Sequence, residues 1–147
     1  GLAAMLAVVP ADAHEIFGCT FAGRVATVDQ DGEDFTYRFT GGLGGDLTIA
    51  TPARSGRLLR TRILFARGSQ EALRFRNGRY SYAVFADFRI GNWEGEDARD
   101  TSGLIVFRGH RVIARHVCDD SSGINIDPVA IDAIPADDMA QLIFADG

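Results

Sequence analysis

Three histidines, two cysteines and a set of arginines are the residues of this chain whose types and spacing could do chemistry. His116 lies two residues before Cys118, so on a strand both side chains share one face, and a free thiol beside an imidazole could hold a metal ion. A metal centre needs three or four such ligands. No CxxC pair and no second ligand cluster occurs, so no metal or other cofactor is assigned, and His116 reads as a ring packed beside a disulfide. Cleavage after Ala13 would make His14 the N-terminal residue, whose amino group and imidazole form a copper chelate that His110 or His116 would complete. Nucleophilic catalysis has less support, because there is no G-x-S-x-G elbow and no signature around either cysteine. Two stretches with calcium-loop spacing, Thr27 to Gly32 and Asp119 to Gly123, lack the bidentate Glu that such loops require and read as turns. No catalytic residue is therefore assigned, and the residues favour a non-enzyme, with copper binding through His14 as an alternative.

The arginines carry more information. All 15 basic residues are Arg, against 20 Asp and Glu, for a net charge of −5, which argues against a nucleic-acid partner. The distribution is bipolar: residues 47–86 hold eight Arg and one acid, Glu71, while residues 117–147 hold seven Asp and no Arg. Arg60, Arg62, Arg74 and Arg76 fall opposite the apolar positions of their segments, which predicts one outward face of four guanidinium groups. Such a face would grip carboxylates or phosphates on an anionic protein, a glycan or a lipid head group. Trp93, in a polar loop, is its candidate aromatic anchor. Internal neutralisation by the acidic tail, or by Glu94, Glu96 and Asp97, is the competing expectation.

The elements that must position these residues are strands. Period-two alternation of apolar and polar residues runs through most of residues 14–118, giving about eight strands in meander order. Residues 29–32 read as a turn, Asn77-Gly78 as a type I′ hairpin turn, and residues 108–110 as a last hairpin. Parity places Phe21, Val25, Phe35, Tyr37, Phe39, Ile63, Phe65, Leu73 and Phe75 in the core. After Cys118 the texture changes to a short helical or irregular acidic tail.

The first 13 residues are apolar, end in Ala11-x-Ala13 and read as part of a secretory signal peptide, too short to span a bilayer, followed by a single β domain over residues 14–147. Export to the periplasm or outside the cell is expected, and there Cys19 and Cys118 form one disulfide on neighbouring strands or remain two buried thiols. Bridging the first and last strands of a meander requires them to be close, which predicts a small closed eight-stranded barrel, with a β-sandwich as the alternative. In outline this resembles the periplasmic C-type lysozyme inhibitors, and Ser102-Gly103 before a strand is similar to their Ser-Gly loop. The residues that follow, Leu104-Ile105-Val106, depart from that motif, so no membership and no site is carried over. The function expected is a secreted or periplasmic binding or inhibitor-type module acting through its Arg face, with copper binding or carriage of a small apolar ligand as alternatives.

Overall fold

A computed structural model describes residues 13–91 and 98–144. The fold is nearly all β and its strand ladders are antiparallel, as the alternation predicts. Ten strands are found among the described residues: β1 (His14–Phe21), β2 (Arg24–Asp31), β3 (Asp34–Thr40), β4 (Leu47–Pro52), β5 (Leu58–Phe65), β6 (Gly68–Asn77), β7 (Tyr80–Arg89), β8 (Arg99–Arg108), β9 (Arg111–Val117) and the short β10 (Asp120–Ser121). Their ladders do not join into one closed barrel. They form a first sheet of order β10-β1-β2-β3-β4 and a second of order β5-β6-β7-β8-β9.

The two sheets share one apolar interior. Phe17, Phe21, Val28, Phe35, Tyr37 and Ile49 of the first meet Leu58, Leu73, Phe75, Val84 and Leu104 of the second, all buried. The Tyr37 ring stacks on both Phe75 and Tyr82, with 5.6 Å between centroids in each case, so aromatic contacts cross between the sheets. Each such ring taken from water stabilises the fold by about 1.5–3 kcal/mol.

Three of the nine expected core residues lie elsewhere. Val25 is 38% exposed because Ala22 and Gly23, with φ of 50° and 75°, form the turn between β1 and β2. That turn pairs Phe21 with Arg24 and Thr20 with Val25, and so puts Val25 on the outer face. Ile63 and Phe65 lie at the far end of edge strand β5 and are 37% and 39% exposed. Phe39 is half-buried against the core.

Cys19 and Cys118 are bridged, with Cα atoms 5.3 Å apart. They do not lie on neighbouring strands: Cys118 follows β9 of the second sheet, and the chain then crosses to the first, where Ser121 of β10 pairs with Cys19. The bridge therefore fastens one sheet to the other at the crossing. Closing a loop 99 residues long is worth about 4–5 kcal/mol in the chain-entropy model.

The tail covers the outer face of the second sheet. After a 3₁₀ turn (Pro128–Ala133), residues 135–137 run parallel to the β5 edge: Arg60 N–H donates to Pro135 O and Asp137 N–H to Arg60 O, both at 2.8 Å. Met139, the single-turn helix α1 (Ala140–Ile143) and Phe144 then cover Ala72, Ala83, Phe85, Ile105 and Phe107. Arg115 of β9 closes the helix by donating to the carbonyls of Leu142 and Ile143, each at 2.9 Å. Short as it is, the tail gives the central strands β6, β7 and β8 buried residues on both faces.

Candidate functional site

Strand register decides where the arginines go, and it does not assemble the expected face. In the β5–β6 ladder Arg60 sits opposite Leu73 and Arg62 opposite Glu71, whereas Arg74 sits opposite Leu59. Residues paired across a ladder share a face, so Arg60 and Arg62 lie on the side turned toward the first sheet, and Arg74 and Arg76 on the side covered by the tail. Arg62 pairs with Glu71, Nε to Oε1 at 3.3 Å. Arg60 is half-buried, and desolvation, reinforced by Arg62, lowers its pKa.

Arg74 does not face solvent; it is 6% exposed. Its Nε and Nη2 donate to the two Asp137 carboxylate oxygens at 2.8 and 2.9 Å, and Nη1 donates to Ser81 Oγ at 3.0 Å. Asp137, its side chain 1% exposed, also accepts the Met139 N–H at 3.0 Å. This is a bidentate buried ion pair that anchors the tail, and it leaves Arg74 little capacity for a ligand. Of the four predicted binding arginines only Arg76 is exposed and without a carboxylate partner among the described residues. Trp93, with Glu94, Glu96 and Asp97, lies outside the described residues.

A different basic surface forms at the end of the second sheet where Arg76 lies. The β6–β7 turn is Gly78-Arg79 rather than Asn77-Gly78, since Asn77 pairs with Tyr80. Glycine at the first central position with φ of 65° is the arrangement of a type II′ turn. The β8–β9 tip repeats it with Gly109-His110, where Arg108 pairs with Arg111 and Gly109 has φ of 60°. Gly109 N–H donates to Arg79 O at 2.8 Å, tying one tip to the other, and Arg76 N–H donates to Arg57 O at 2.8 Å. Arg57, Arg76, Arg79, Arg108, His110 and Arg111 thus line one end of the five strands of this sheet, and all are exposed. None of the ion pairs among the described residues uses any of them.

Between these tips and the tail lies a cleft of about 530 Å³, within the size range of small-molecule sites. Arg76, Arg79 and His110 supply its basic side. Leu59, Tyr80 and Met139 supply apolar surface, and Ser81, Asp138 and the buried Arg74 are also in the lining. Asp138 is 83% exposed and its Oδ1 stands 4.0 Å from Arg74 Nη2.

The other histidines lie elsewhere. His116 stacks on Phe21 with 4.6 Å between centroids, and desolvation, then the nearby Arg24, lowers its pKa. His14 opens β1, seven residues before Phe21, or about 23 Å at strand spacing, so His14 and His116 do not share an ion. Among the described residues no group of three His, Cys, Asp or Glu side chains gathers as a metal site. No helix among them is long and apolar enough to cross a membrane.

Sequence reasoning passed over Arg57, Arg79, Arg108 and Arg111 as site residues. The available signal was an Arg on each side of two short glycine-containing tips, Arg76 to Arg79 and Arg108 to Arg111, in hairpins that a meander makes neighbours. Compared with protein-family models, curated proteins and solved structures, the chain matches none.

Proposed function

We propose that this chain is a secreted or periplasmic, non-enzymatic binding or inhibitor-type module that contacts an anionic partner through the Arg-rich end of its second sheet. The observation that carries the reading is the row Arg57, Arg76, Arg79, Arg108 and Arg111, five exposed guanidinium groups outside every ion pair among the described residues. Guanidinium stays protonated at any physiological pH and donates in a fork that matches carboxylate, sulfate and phosphate. A concentrated patch on a molecule of net charge −5 orients an anionic partner toward one end and accelerates its encounter. The disulfide supports an oxidising compartment. We read the two sheets as halves of a β-sandwich. The rings of Phe17, Phe35, Tyr37 and Phe75 pack its interior, which favours a surface site over an interior carrier of apolar ligands.

Poly-L-glutamate immobilised on a sensor surface is a sufficient probe. The protein binds it at low ionic strength and releases it as salt rises, because exposed charges are screened. Reversing Arg76 and Arg79 together to Glu abolishes capture with the melting temperature unchanged, whereas Arg62→Glu leaves capture intact. Loss with Arg62→Glu and none with the double variant would return the site to the strand face predicted from sequence and refute this reading.

A further inference from the structure

Resting on that reading, we infer that the cleft between the paired tips and the tail is a subsite for an acidic saccharide: a short oligosaccharide carrying a carboxylate or sulfate. Three kinds of group surround one space of about 530 Å³, room for two or three sugar rings. Arg76 and Arg79, with His110 beside them, present donors for the anionic substituent. The Tyr80 ring, 38% exposed at the cleft edge, offers a flat apolar face for the C–H side of a sugar ring. Asp138, its carboxylate 83% exposed, is an acceptor for neighbouring hydroxyls. The Arg74–Asp137 pair beneath is internally neutral and holds the wall carrying Asp138 in place.

Other anionic partners fit this cleft less well. A flat anionic membrane would meet the exposed Asp138 carboxylate and be repelled by it. An extended peptide adding to the nearby β5 edge would find the backbone groups of Arg60 already taken by Pro135 and Asp137. A saccharide uses both signs of charge, since its anion pairs with Arg while its neutral hydroxyls donate to Asp138.

Titration calorimetry on the whole chain, with melting temperature as the folding control, tests the assignment. The probes are trigalacturonate, a chondroitin sulfate tetrasaccharide and neutral maltotriose, and poly-L-glutamate capture is measured beside them. Expected are binding of an acidic oligosaccharide, at least tenfold weaker binding of maltotriose, loss with Arg76→Ala, and a weakening of roughly three- to tenfold with Tyr80→Ala. Whichever acidic probe binds more tightly identifies the anion as carboxylate or sulfate. Asp138→Ala is the sharpest arm. In a simple anion site it removes a repulsive charge and tightens binding; in the saccharide site it also removes the hydroxyl acceptor and weakens the oligosaccharide while strengthening poly-L-glutamate capture. Tighter oligosaccharide binding by Asp138→Ala, or equal binding of maltotriose, overturns the saccharide assignment. Retained poly-L-glutamate capture with no oligosaccharide binding overturns it while leaving the anionic-partner reading intact, and loss of both overturns both.

Discussion

On the face of the second sheet turned toward the first, Leu58, Leu73, Phe75, Val84 and Leu104 meet the other sheet's rings with no charged side chain in the buried cluster. On the opposite face the same strands bring Ala72, Ala83, Phe85, Ile105 and Phe107 beneath a short tail, beside a buried Arg74–Asp137 pair. These five inner positions are covered by strands of the first sheet, and alternation is enough to find them. On the outer face the covering segment lies 63 residues along the chain from the arginine it traps. Arg74 and Arg76 show the consequence: two positions apart on β6 and on one face, both border the cleft, but the first is 6% exposed and held by Asp137 while the second is exposed and unpaired.

If both faces belong to one cooperative fold, injuring either should lower the same global unfolding midpoint. Phe75→Ala on the inner face is expected to lose about 3–5 kcal/mol. Asp137→Asn on the outer face leaves a buried guanidinium unpaired and is also expected to lose about 3–5 kcal/mol, most of it recovered when Arg74→Met is added. Urea midpoints measure both. A loss under about 1 kcal/mol for Asp137→Asn would make the tail an ornament rather than a wall of the fold.

Gly103 gives a smaller effect. A Cβ there would meet His116 O at 2.2 Å and the Phe85 ring at 2.6 Å, so the outer-face ring depends on a bare backbone beneath it. Gly103→Ala is expected to cost about 1–3 kcal/mol, read from the same midpoints.

The smallest effect is a pH dependence. Folding lowers the pKa of His116 from its ordinary 6.5, so the unfolded chain binds the proton more readily. The stability contributed by the neutral ring is complete above pH 6.5 and is lost as pH falls through the lower folded value. Denaturation midpoints at pH 7.5 and pH 5 should therefore fall less in His116→Phe, which keeps the stack on Phe21, than in the unaltered protein. An equal fall in both proteins would assign the acid sensitivity to other groups.

Much of the inner architecture was legible because a strand reports its own faces. Phe35, Tyr37, Leu73 and Phe75 alternate with polar residues and are buried, and the two cysteines are bridged. Features set by a turn or by a distant segment were not legible. Val25 was lost to the turn at Ala22-Gly23, whose positive φ at alanine no composition rule suggests. Ile63 and Phe65 alternate as core residues do, yet the strand carrying them is an edge, and the tail bridges to it at Arg60. The candidate site was half legible, since the excess of arginine is plain in the sequence, while its partition between a buried pair, a paired strand face and an open row of tips follows from register and tail docking.

That partition is tested most directly by following the backbone amides of the ¹⁵N-labelled protein as poly-L-glutamate is added at low salt. The expected result is a set of concentration-dependent shifts at Gly78, Arg79, Gly109 and His110, with Arg62, Ile63 and Leu64 unmoved. Shifts centred on Arg60 and Arg62, with the tips silent, would contradict it.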